Sequence, residues 1–256
     1  MFDDQAEFRE RFEWGEAGIR RLAPHADVLV VVDVLSFATA VDVAVGRDAT
    51  IYPYRWRGAT AESFARKVGA ILAADRTRRD VSAPYSLSPH SLRTIPKGTR
   101  LVLPSPNGAT LVLLAAELCQ IVLAGCLRNA TAVATACREL GGTVAVIAAG
   151  ERWLDAESES GTLRPAVEDL VGAGAILTAL HPLRPSPEAI AAIAAFHAAA
   201  TDLSGFLNAC SSGRELRERG FIPDVDLAAQ IDVSQSVPRL SEGAFERQAK
   251  SPPNPN

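Results

Sequence analysis

The chain has 256 residues, of which 48 % are hydrophobic and 22 % charged, and a formal net charge of −4. That length can bury a sizeable core, and the balance is that of an ordinary globular protein. No basic cluster is dense enough to track a phosphate backbone, so nucleic acid is not an expected partner.

The first residues, Met1-Phe2-Asp3-Asp4, are acidic and lack the apolar stretch of a secretory signal. No run approaches the ~18 apolar residues of a membrane helix, so no membrane contact is expected. Cys119, Cys126, Cys137 and Cys210 show no C-x-x-C pairing, and His25, His90, His181 and His197 show no H-x-x-x-H spacing. The expectations are reduced thiols in a cytoplasmic protein and no zinc site.

In chain order, Phe8, Phe12 and Trp14 stand among charged residues as the buried face of an edge strand. Glu16 to Leu22 reads as a short helix ended by Pro24. Val28 to Val32 is a continuous β-branched and aliphatic run that suits a strand covered on both faces. Ser36 to Val45 reads as a helix stopped by Gly46, and Ile51 to Tyr54 as a strand. Ala61 to Ala74 has a helical pattern, and 75–98 reads mainly as loop. Strands at Arg100 to Leu103, Ile121 to Ala124 and Thr143 to Ala148 alternate with helices at Ala109 to Leu118 and Asn129 to Leu140. Further helices are expected at Pro165 to Leu180, Ser186 to about Ala200 and Ser212 to Arg219, with a last strand at Ile231-Asp232-Val233.

This order predicts a three-layer α/β/α fold with a largely parallel or mixed sheet. The pattern suggests one domain over 1–250 and a disordered Pro/Asn tail over 251–256. Two segments, opening their loops at Asp33 and Asn107, look like a partial internal repeat.

In open parallel sheets, ligands bind outside the carboxyl ends of the strands. Four loops start at such ends: at Asp33, Pro104, Gly125 and Ala149. Asp33, directly after five apolar residues, fits either a hard-cation ligand or a turn and helix-capping acid. Ser36 and Thr39 can cap the helix that follows. Ser105-Pro106-Asn107-Gly108 is a small-residue loop opening a helix, a plausible phosphate cradle that lacks the lysine of a P-loop. Arg128 can meet phosphate oxygens, and Asn129 reads first as a helix cap. Glu151-Arg152 is followed by Arg164, Glu168 and Asp169, the last two in the first turn of a helix.

Taken together, these segments resemble the 2-phosphosulfolactate phosphatase (ComB-like) family. The matching stretches are Val31 to Leu35, Ser105 to Thr110, Gly125 to Ala130, Ala148 to Arg152, Leu163 to Ala175, Ser211 to Arg214, Gly220 to Val233 and Val237-Pro238. Their order is kept across roughly residues 28 to 238.

The resemblance implies Mg²⁺-dependent hydrolysis of a small anionic phosphomonoester, 2-phosphosulfolactate or a related 2-phospho acid. It implies Asp33, Glu168 and Asp169 as metal ligands and Asp33, Glu168 and Asn107 as catalytic residues. Ser36, Thr39, Gly108 and Asn129 would surround the phosphate, and Arg128, Arg152 and Arg164 would meet the other anionic groups. Two positions depart from the pattern: Ser36 stands where many members have Arg, and Ala148 where many have Cys. They motivate the alternative of a non-catalytic module that binds a phosphorylated metabolite. A haloacid-dehalogenase-type phosphatase is disfavoured, because no second Asp follows Asp33 two residues on. A homodimer is a further expectation.

Overall fold

In a computed structural model that describes residues 2–76, 84–153 and 162–248, strands and helices alternate. In chain order they are β1 (Glu10–Trp14), α1 (Gly15–Leu22), β2 (Val28–Val32), α2 (Phe37–Val45), β3 (Thr50–Tyr54), α3 (Ala59–Val68) and β4 (Ile71–Leu72). Then follow β5 (Arg100–Pro104), α4 (Gly108–Leu118), β6 (Val122–Gly125), α5 (Ala130–Leu140), β7 (Val144–Ala148), β8 (Glu151–Arg152) and β9 (Leu163–Arg164). The chain continues through α6 (Val167–Ala179), α7 (Pro187–Ala199), α8 (Leu203–Ala209), α9 (Ser211–Glu218), α10 (Ile222–Ala228), β10 (Pro238–Ser241) and β11 (Ala244–Arg247). The tail expected over 251–256 lies outside the described residues.

A nine-stranded sheet has the order β1-β7-β2-β6-β10-β11-β3-β5-β4. β1, β7, β2 and β6 are parallel to one another, and so are β3, β5 and β4. The β10–β11 hairpin joins the two groups by antiparallel pairing with β6 on one side and β3 on the other. The sheet is therefore mixed, with β1 at one edge and β4 at the other. β8 and β9 form a separate two-residue antiparallel pair.

The apolar run of β2 is buried on both faces. Leu29 and Val31 pack with α1, α2 and α4, while Val28, Val30 and Val32 pack with α5, α6 and α7. Helices thus cover both faces, and the fold is a three-layer α/β sandwich. The two segments that resembled a repeat are both strand–loop–helix–strand units, β2-α2-β3 and β5-α4-β6.

Two expected elements differ. The helix read over Ala61 to Ala74 ends at Val68, because Gly69 takes a left-handed φ of 61° and caps it. Ile71–Leu72 then pairs with β5 as β4. The strand expected at Ile231 to Val233 does not form. Asp232 has φ 52°, and its carboxylate accepts from Thr131 N (2.7 Å) and Thr131 Oγ (2.8 Å). The last strands are β10 and β11, and α8 and α10 are helices that local pattern had not suggested.

From Pro187 to Ala209 the chain is helical, with mean hydropathy 1.5, which by length and composition alone is enough to cross a membrane. Here α7 lies along α6 and against β1. Gly174 makes the α6–α7 approach this close, since a Cβ there would collide with the Ala192 carbonyl. Gly174→Ala is expected to destabilise the fold by about 1–3 kcal/mol through overpacking. The measurement is the urea midpoint at constant m-value, and an unshifted midpoint would mean that the two helices do not pack this tightly.

Candidate active site

The Asp33 carboxylate sits where β2 ends and before α2 begins. Its Oδ1 accepts the Phe37 N–H at 2.9 Å, so Asp33 caps α2. Ser36 and Thr39 do not cap it. Thr39 is fully buried and donates its hydroxyl to Val34 O at 2.7 Å. Gly108, at the start of α4, comes against the other side of Asp33. A Cβ at Gly108 would lie 2.5 Å from Asp33 Oδ2 and 2.5 Å from Phe37 Cδ1, so only glycine permits this approach.

Asp169 is buried in the first turn of α6 and takes two backbone donors. Oδ1 accepts from Val34 N (2.7 Å) and Oδ2 from Gly150 N (2.9 Å). It clamps the loop after β2 to the loop after β7. Glu168, also buried, lies near the Cys210 thiol. Glu151 is partly buried, and its Oε2 accepts from Asn107 Nδ2 at 2.8 Å. Three of the four expected loops, those starting at Asp33, Pro104 and Ala149, therefore meet in one place.

The acids in this place act on one another. Burial lifts the Asp33 carboxyl from 3.8 to about 6, against the pull of the Phe37 N–H, and the Glu168 charge adds to the rise. Burial, then the Asp33 and Glu168 charges, push Glu151 up to about 7. The same causes hold Asp169 well above the usual carboxylate range.

Two guanidinium groups face these acids. Arg164 donates to Ser212 Oγ at 3.3 Å, lies over the Trp153 ring, and its charge lowers Glu151. Arg76 donates from Nη2 to Ser36 Oγ (2.8 Å) and Leu87 O (2.9 Å) and packs over Phe221 at 5.3 Å. Its Nε is 4.0 Å from Asp224 Oδ2, a buried oxygen with no hydrogen-bond partner. Arg76 was not singled out in the sequence, because it falls in a stretch read as loop among several other arginines. Arg152 lines an adjoining cavity of about 200 Å³ with Asn107, Thr110, Gly150, Glu151 and Leu163. Thr110 Oγ1 is buried there without a partner.

Arg128 and Asn129 go elsewhere. Arg128 pairs with Asp42 at 3.0 Å and donates to Gln230 Oε1 at 2.6 Å. Asn129 is fully buried and uses its amide on Cys126 N, Ala124 O and Ser236 O. Among the described residues, no three His, Cys, Asp or Glu side chains form a metal cage.

The fold and this site define a class: a three-layer α/β protein with a buried acid cluster, flanked by guanidinium groups, at the ends of parallel strands. A family model for 2-phosphosulpholactate phosphatase matches residues 19–243, so the chain belongs to that family. It is also similar to a 2-phosphosulfolactate phosphatase of Methanothermobacter thermautotrophicus, 26 % identical over 217 residues, which cover 85 % of this chain and 88 % of the relative.

Folded Glu151 holds its proton more tightly than an unfolded glutamate. Its contribution to stability is full below about pH 4.5 and is lost as pH climbs through about 7. With EDTA present, the wild type should therefore lose stability relative to Glu151→Gln over that window. Urea midpoints at stepped pH read this, and a constant difference would show that Glu151 titrates normally.

Proposed function

We propose that this protein is a phosphatase that uses Mg²⁺ to hydrolyse a small anionic phosphomonoester, 2-phosphosulfolactate or a related 2-phospho acid. The observation that carries this reading is the gathering of Asp33, Glu151 and Glu168 beside Arg76 and Arg164 at the strand ends. The family's name supports the reaction class.

Oxygen donors suit a hard cation. Mg²⁺ is usually held by one or two carboxylates and keeps water and phosphate ligands. Asp33 and Glu168 would hold it. Asp169 is already committed to two backbone N–H groups and would support the site from behind. When bound, the ion supplies positive charge to the phosphoryl oxygens.

The chain's own groups do the rest. Arg76 and Arg164 meet anionic oxygens of the substrate, and Thr110 Oγ1 offers a hydrogen-bonding group now without a partner. Asn107 fixes Glu151, whose carboxyl holds a proton near neutral pH and would deliver it to the leaving oxygen. The four cysteines are free and buried, in keeping with a reducing cytoplasm.

The binding-only alternative rested on Ser36 and Ala148. Ala148 is wholly buried in the core under α5 and α6, and Ser36 is joined to Arg76. Neither position removes an acid from the site.

Phosphate release from a panel of phosphomonoesters should require Mg²⁺ and stop with EDTA. Stabilisation by these compounds without release would favour the binding module. Asp33→Asn should lower kcat by at least about a hundredfold with the melting transition retained; full activity would remove Asp33 from the reaction. Arg76→Lys keeps the charge but loses the planar fork, so KM should rise about tenfold with kcat little changed.

A further inference from the structure

A cavity of about 390 Å³ lies away from the acid cluster, against the C-terminal end of α2. Asp33 caps the other end of the same helix. Four arginines line the cavity, Arg47, Arg93, Arg128 and Arg247, against one carboxylate, Asp42.

Part of that positive charge serves the fold. Arg128 pairs with the buried Asp42, which also accepts the Ser234 hydroxyl at 2.6 Å. Arg47 donates to Ile95 O at 3.0 Å. Arg247 lies 3.3 Å from Asp48 and donates to Gly46 O at 2.6 Å, answering the carbonyl end of α2. Two groups are left over. The Arg93 guanidinium makes no hydrogen bond or ion pair among the described residues. Ser236 Oγ is buried and has no hydrogen-bond partner, although its main chain is fixed by Ser234 Oγ and Asn129 Nδ2. A buried hydroxyl without a partner is unfavourable, and a lining with more cations than anions attracts negative charge.

We propose that this cavity is a second anion-binding site, for a small phosphorylated metabolite with more than one negative charge, distinct from the reaction centre. The size falls in the usual range for small-molecule sites, about 300–1,000 Å³. Guanidinium forks match phosphate oxygens, and the Ser236 hydroxyl gains the partner it lacks.

The test is calorimetric titration of pyrophosphate into the whole protein at physiological salt, with EDTA present so that no turnover occurs. Arg93→Ala and Ser236→Ala should each weaken pyrophosphate binding about tenfold, the scale of one charge-assisted contact. Their melting temperatures and any phosphomonoester turnover should match the wild type. Asp33→Asn should leave this binding intact. No pyrophosphate binding by the wild type would overturn the proposal. So would binding that survives Arg93→Ala and disappears in Asp33→Asn, because it would belong to the acid cluster. The titration reads binding alone, so failure of the phosphatase reading is seen separately, in the release assay.

Discussion

The Asp169 carboxylate stands between two strand ends and takes a backbone N–H from each, Val34 after β2 and Gly150 after β7. Both donors are buried and would otherwise lack partners. Each such hydrogen bond contributes about 0.5–1.5 kcal/mol net, and leaving either donor unpaired would cost more. Because Asp169 lies in the first turn of α6, the same bonds fix where that helix begins. Glu168, its neighbour, is thereby turned about 100° away around the helix. One acid of the pair holds the loops, and the other faces a different side of the helix.

That arrangement has an electrostatic cost. Asp33, Glu151, Glu168 and Asp169 are crowded in a place with little water, and the shifts of Asp33, Glu151 and Asp169 all run toward the protonated form. The opposing forces are local. The Phe37 N–H at the start of α2 pulls the Asp33 carboxyl down, and the Arg76 charge does the same. Gly108 lets a second helix start come within contact of Asp33, which any side chain would prevent. Burial and mutual repulsion therefore outweigh these local donors at all three acids.

Where burial has a periodic signature, the sequence shows it. The uninterrupted run of Val28 to Val32 and the small-residue helix after it stand as read, and Asp33 stands at their junction. The β10–β11 hairpin was hidden because its turn is Glu242-Gly243, both at positive φ (49° and 79°). Glycine is common there, but glutamate is not, so no turn signal marked it. Ile231-Asp232-Val233 had strand composition, yet a side-chain bond from Asp232 to Thr131 outweighed it. Arg128 was placed correctly at a strand end but is turned toward Asp42 by a tertiary ion pair. Arg76 reaches the acids from a connection with no periodicity, so only the folded chain reveals its partners.

Arg76 also changes what the serine at 36 means. Family resemblance leads one to expect an arginine there, and its loss suggests an anion site stripped of charge. In the structure, Arg76 Nη2 donates to the Ser36 hydroxyl, and its charge reaches both Asp33 and Glu151. Burial lowers the guanidinium's pKa, while Asp224, Asp33 and Glu151 raise it, so the cation is held by three carboxylates from different parts of the chain. A small side chain at 36 leaves space for that guanidinium, and an arginine at 36 would compete for it. The positive charge beside Asp33 is thus set by position in space, through a residue 40 places beyond Ser36.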